Sequence, residues 1–125
     1  MEIERLDHLV LTVADIDTTA NFYQRVLGME LIVFGDARKA LRFGQQKINL
    51  HQQNQEYLPR AINATPGSAD LCFICSIPLE QVMVELKEKG IELCEGPVTR
   101  TGAVGSIESI YIRDPDSNLI EISNY

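Results

Sequence analysis

The chain repeats itself, and the repeat limits the folds open to it. Displacing the sequence by 62 positions sets HLVLTVADIDTTANFYQRVLGMEL (His8 to Leu31) on DLCFICSIPLEQVMVELKEKGIEL (Asp70 to Leu93). Gly28 falls on Gly90, Glu30 on Glu92 and Leu31 on Leu93. Each segment is an apolar run, a break, an amphipathic stretch, a glycine and the start of a strand. Identities are few, so the sequence of residue types carries the inference. A solenoid stacks more than two units to bury a continuous core, so two copies indicate a duplication.

Each copy can be read locally. Residues 6–14 alternate as a strand does. Asp15 or Asp17 can cap a helix over 16–27 whose buried stripe is Ile16, Ala20, Tyr23 and Leu27, with Gly28 as its stop. Strands fit 29–35, 39–44 and 47–53, with Gly35 and Gly44 at turns, and 54–68 is a linker. In the second copy a strand covers 69–76, and Pro78 opens a helix that runs to Lys89 and ends at Gly90. Strands follow at 91–95, 107–113 and 119–124. GPVTRTGAVG reads as a loop, and Asp114-Pro115-Asp116-Ser117-Asn118 as a tight turn. The expectation is an α+β chain, one domain over 1–125 with repeats at 6–53 and 69–124. Two βαβββ units would form an open, mostly antiparallel sheet with helices on one face.

Composition narrows the partners. The net charge is -7 and there is no Trp. Such a field repels phosphate backbones and anionic lipid, so neither nucleic acid nor a membrane surface is expected. The apolar run after the N-terminus is short, ends at Asp15 and reads as a strand, not a signal peptide. Three cysteines lie in apolar runs, which predicts reduced core thiols and a cytoplasmic protein. Cys72 and Cys75 have redox spacing, but a strand sends them to opposite faces.

Side chains alternate across a strand. Leu9, Leu11 and Val13, Ile48 and Leu50, Leu71, Phe73 and Cys75, and Ile120 and Ile122 form apolar faces suited to the helices. The opposite faces carry His8, Asn49, His51, Asp70 and Glu121, all but Asn49 good metal donors. His8 and Asp70 occupy equivalent places in the copies; Glu121 aligns with Asn49, or with His51 after a two-residue slip. A half-solvated strand shows the same alternation without any site. Tyr111 and Arg113 line the same face, and Arg100 sits in the loop before them, placed to close over a ligand or simply solvated. Arg38, Lys39, Arg42 and Lys47 suit a carboxylate substrate or a wet strand edge.

The opening DHLVLTVADIDTTANFYQRVLGMEL and the close YIRDPDSNLIEIS resemble the vicinal oxygen chelate superfamily, which includes glyoxalase I, fosfomycin-resistance proteins, extradiol dioxygenases and bleomycin-binding proteins. The likeness covers nearly the whole chain. FGQQKINLHQQ, PGSADLCFI and EGPVTRTGAVG look closest to a lactoylglutathione-lyase-like subgroup. The resemblance implies metal ligands on the first, fourth, fifth and eighth strands: His8, His51 (or Asn49), Asp70 and Glu121. The fifth-strand place, usually His, is Asp here. The implied cofactor is a divalent metal (Ni, Zn, Mn or Fe) and the implied assembly a homodimer. The implied activity is a glyoxalase-type lyase or isomerase acting on a thiol hemithioacetal through an enediolate. Glu121 and Asp70 would be its catalytic carboxylates, and Arg100, Tyr111 and Arg113 its substrate-binding residues. An extradiol-type dioxygenase or a non-catalytic drug-binding protein are the alternatives.

Overall fold

A computed structural model describes residues 1–125. The chain divides into two compact units, Met1–Ser68 and Ala69–Tyr125. The first runs β1 (His8–Val13), α1 (Ile16–Leu27), β2 (Glu30–Phe34), β3 (Arg38–Phe43) and β4 (Gln46–Gln52). The second runs β5 (Asp70–Ile74), α2 (Leu79–Glu88), β6 (Glu95–Thr101), β7 (Ser106–Arg113) and β8 (Leu119–Asn124). Both are therefore βαβββ, as the repeat predicts. Each makes its own four-stranded sheet, in the orders β1-β4-β3-β2 and β5-β8-β7-β6. β1 pairs with β4, and β5 with β8, in parallel; the other neighbours are antiparallel.

α1 starts where Asp15 accepts a hydrogen bond from the Thr18 backbone N–H at 2.9 Å and another from its hydroxyl. It stops at Gly28, whose φ of 68° is left-handed. Its buried face is Thr19, Ala20, Phe22, Tyr23 and Val26. Ile16 and Leu27, expected in the stripe, are half-buried. They occupy the first and last positions of the helix, where its contact with the sheet tapers. α2 follows Pro78, which carries no side-chain cap, and buries Leu79, Val82 and Leu86. Fully buried Val13, Tyr23 and Leu41 lie in the first core; Ile110, Ile112 and Ile120 lie in the second.

Two expectations fail. The strand placed at 91–95 begins only at Glu95 and runs through most of the supposed loop to Thr101. β6 is an edge strand that pairs only with β7. A proline can sit on such an edge, and a break in register between Glu95 and Val98 accommodates Gly96 and Pro97. Gly96 has φ 104°, and a Cβ there would stand 2.5 Å from the Ser109 carbonyl oxygen. The cysteines are also not core residues: all three are free, Cys72 and Cys94 are exposed and Cys75 is half-buried. Cys72 stands opposite Glu121 on the face away from the helix, where alternation alone places it. No helix is long and apolar enough to cross a membrane.

Candidate functional site

The site in the second unit is set by its tight turn. The buried Asp114 carboxylate accepts from the backbone N–H groups of Asp116 and Asn118, each at 2.9 Å, and from the Asn118 side-chain amide at 2.8 Å. The Asn118 amide oxygen then accepts from the Ala69 backbone N–H at 2.8 Å. That link holds β5 against β8, with Asp70 opposite Leu119 and Cys72 opposite Glu121. Asp70 and Glu121 become diagonal neighbours on one face. Both line an open cavity of about 450 Å³ together with Arg100, Tyr111 and Arg113.

Arg100 is a strand residue, opposite Ile107 in β6 and not in a loop. Its Nε donates to the Tyr111 hydroxyl at 3.0 Å, and its Nη2 pairs with Glu95 at 3.2 Å. The hydrogen bond to Tyr111 raises the Arg100 pKa. Burial of the phenol, aided by Glu121 and opposed by Arg100, raises that of Tyr111. Glu95 also lines the cavity, and sequence reading missed it. Its place opposite Tyr111 depends on the bulge after it, which no alternation pattern reveals.

Beside Glu121, Ser123 Oγ lies 3.5 Å from a carboxylate oxygen. Ser123 bonds the buried Ser109 hydroxyl at 2.7 Å and approaches Cys72 Sγ at 3.4 Å. Although Cys72 is exposed overall, partial desolvation of its thiol raises the thiol pKa, opposed by the Ser123 hydroxyl. A second cavity of about 360 Å³ adjoins Cys72, Glu121, Tyr111 and Arg100.

The corresponding face of the first unit differs in chemistry. His8 is exposed, with Nδ1 2.8 Å from Asp7. Asn49 stands opposite Val10, which makes it the counterpart of Glu121. His51 stands opposite Thr12 and matches Ser123; the slip that would align it with Glu121 is not the register adopted. His51 and His8 share a face but are four residues apart along parallel strands, about 13 Å at the usual rise. His51 is 3% exposed. Its Nε2 lies 3.5 Å from Arg38 Nη2, and its ring packs edge-on against Tyr57. Burial first, then Arg38, lowers its pKa.

Of the residues singled out in sequence, the structure gathers Asp70, Arg100, Tyr111, Arg113 and Glu121 around one cavity. It gathers no group of three or more His, Cys, Asp or Glu side chains able to hold a metal ion.

The family model for the glyoxalase/bleomycin resistance protein/dioxygenase superfamily matches residues 5–75. Virulence protein STM3117 of Salmonella typhimurium is 62% identical over 100% of this chain and 87% of its own length. Its crystal structure superposes with a TM-score of 0.99, covering 100% of this chain and 99% of that one. The glyoxalase domain-containing protein RDO1 of Mycosarcoma maydis is 54% identical over 100% of this chain and 70% of its own length. A lactoylglutathione lyase from Agrobacterium tumefaciens, 20% identical, has the same fold, with a TM-score of 0.74 over 99% of this chain and 96% of that one. The chain belongs to the glyoxalase/bleomycin resistance protein/dioxygenase superfamily, the vicinal oxygen chelate group that its strand motifs resemble.

Proposed function

We propose that the protein is a metal-dependent lyase or isomerase of glyoxalase type, acting on a small thiol hemithioacetal or another metabolite with neighbouring oxygens. One observation carries the reading: Asp70 and Glu121 stand as diagonal neighbours in a cavity that also holds Arg100, Tyr111 and Arg113. The donor types suit a divalent cation, although no three of them converge in one chain. Two carboxylates are hard oxygen ligands, and Asp7 beside Nδ1 of His8 is the kind of partner that orients a ligating imidazole through its other nitrogen. Asp70 and Glu121 would hold the ion, and a homodimer would complete the set. His51 is left out of it, because its ring is engaged by Arg38 and Tyr57.

When bound, the metal supplies Lewis-acid polarisation of two adjacent substrate oxygens. Glu121 takes the carbon-bound proton and returns it to the neighbouring carbon. Tyr111, held by Arg100, presents its hydroxyl to the same space. Arg113 and Arg100 set positive charge where an anionic substrate would lie. Three free cysteines fit a reducing compartment such as a cytoplasm.

The test is metal analysis of protein purified without chelator, followed by an ultraviolet assay of hemithioacetal isomerisation. Near-stoichiometric metal, and activity lost to chelator and restored by metal, is the expected result. Protein with neither metal nor turnover fails the reading and favours the second one, a pocket that sequesters a small molecule. That alternative is favoured by the lack of a three-donor group. Sedimentation that finds only a 14.0 kDa species at micromolar concentration would remove the dimer.

A further inference from the structure

The face of the first unit away from its helix has features that a solvated sheet does not need. Asn49 is 6% exposed, yet its Oδ1 is buried with no hydrogen-bond partner. Two residues on, Nδ1 of His51 is buried and unpartnered as well. A buried polar atom left unpaired costs roughly 1–3 kcal/mol, so two on one strand face mark groups that something else satisfies.

Their polarity can be worked out. Arg38 only donates, so the His51 Nε2 beside it is the acceptor, and the ring proton sits on Nδ1. The face thus presents one unmet acceptor, Asn49 Oδ1, and one unmet donor, His51 Nδ1–H.

Positive charge stands over the same face. The Arg38 guanidinium lies 4.4 Å from the Tyr57 ring centre and 5.2 Å from that of Phe34. Lys47 Nζ lies 3.8 Å from the Phe34 centre. Both cations have aromatic neighbours, and neither is among the chain's carboxylate ion pairs, which engage Arg5, His8, Lys39, Arg42 and Arg100. Neither cation has a carboxylate within ion-pair distance, although Asp7 acts on Lys47 from further off, and in a chain of net charge -7 they match an anion from outside.

We propose that this face binds a small hydroxylated carboxylate, an α-hydroxy acid in the simplest case. Its carboxylate meets Arg38, Lys47 and the His51 Nδ1–H, and its hydroxyl donates to Asn49 Oδ1. Tyr57, half-exposed in a segment without helix or strand, packs on His51 and Arg38 and is the cover that moves aside. The proposal stands apart from the metal reading, since none of these groups is among its ligands.

The test is calorimetric titration of chelator-treated protein with glycolate and lactate, with acetate and ethylene glycol as controls. Chelator treatment separates the result from any failure of the metal chemistry. Glycolate or lactate should bind at least about tenfold more tightly than acetate, with no binding of ethylene glycol. Asn49→Leu and Arg38→Gln should each weaken binding about tenfold or more while the circular dichroism is unchanged. If Asn49→Leu does not fold, Arg38→Gln, at a partly exposed site, decides the matter. Equal binding of acetate and glycolate, no binding of either, or full affinity in Arg38→Gln overturns the proposal. So does a crystal soaked in glycolate in which one water alone joins Asn49 and His51.

Discussion

The two units share a skeleton down to its fastenings and differ in the chemistry hung on it. At the start of its last strand the first unit uses the Gln46 amide to hold the Leu6 carbonyl at 2.7 Å; the second uses Asn118 to hold Ala69. At the strand's end Gln52 bonds the Ile16 N–H and the Ala14 carbonyl, while Asn124 bonds the Leu79 N–H and the carbonyls of Cys75 and Ile77. Between these fixed ends the paired positions diverge: His8 against Asp70, Asn49 against Glu121, His51 against Ser123, Ala40 against Tyr111. The duplicated register is thus a constant frame. One face collected carboxylates and a phenol beside two arginines, the other cations without close carboxylates, aromatic rings and neutral polar groups.

The sharpest way to break this comparison is to exchange its central pair. Glu121→Gln should abolish metal retention and lower turnover by a hundredfold or more, roughly the range for loss of a general base. Asn49→Asp should gain no metal and should destabilise the fold by about 1–3 kcal/mol, because it places a charge where burial is nearly complete. Metal content, turnover and urea unfolding read the three effects. Metal retained by Glu121→Gln would remove the assigned difference.

Leu41 and Ile112 are equivalent core positions, both fully buried. Leu41→Ala and Ile112→Ala should each cost about 2–5 kcal/mol in urea unfolding. Costs that differ by more than a factor of two would show that the two cores are not interchangeable. The amide fastenings come next. Asn124→Ala loses three hydrogen bonds and should cost about 2–3 kcal/mol, against about 1–2 kcal/mol for Gln52→Ala with two. Thermal melts of the two variants rank them, and the reverse order would refute the equivalence.

The smallest effect concerns pH. His51 has its pKa lowered by burial and by Arg38, so the folded protein holds fewer protons than the unfolded chain just below about pH 6.5. Stability from this group is therefore complete above that pH and declines as the solution is acidified towards the lowered value. Ser123, in the same place in the second unit, does not titrate. The stability difference between pH 7.5 and 5.5 should shrink in His51→Gln, and an unchanged pH profile would count against the buried neutral ring.

Sequence made most of this frame legible, because period and parity are local. The break at Asp15, the stop at Gly28 and the Asp114–Asn118 turn all lie where residue type alone puts them. What stayed hidden depended on partners distant in sequence. Most of β6 reads as a loop in sequence, because Gly96 and Pro97 argue against a strand until its edge position is known. The choice between Asn49 and His51 as the counterpart of Glu121 turned on a two-residue register set by Gln46 and Gln52. The unpaired atoms of Asn49 and His51 had no signal in sequence, since alternation tells which face a side chain takes and not what it meets there.

The amide fastenings also bear on how each unit assembles in time. Ile16 and Leu79, at the helix entries, have N–H partners on the last strand of their units, and that strand pairs in parallel with the first. In the first unit the pairing joins residues about 40 positions apart. Closing so long a loop is paid in chain entropy before any ladder bond rewards it. α1 and α2 are short helices of the kind that is marginal in isolation. Each should therefore gain its full order only when the final strand docks, so that helix content and parallel pairing appear in a single kinetic phase and not in sequence.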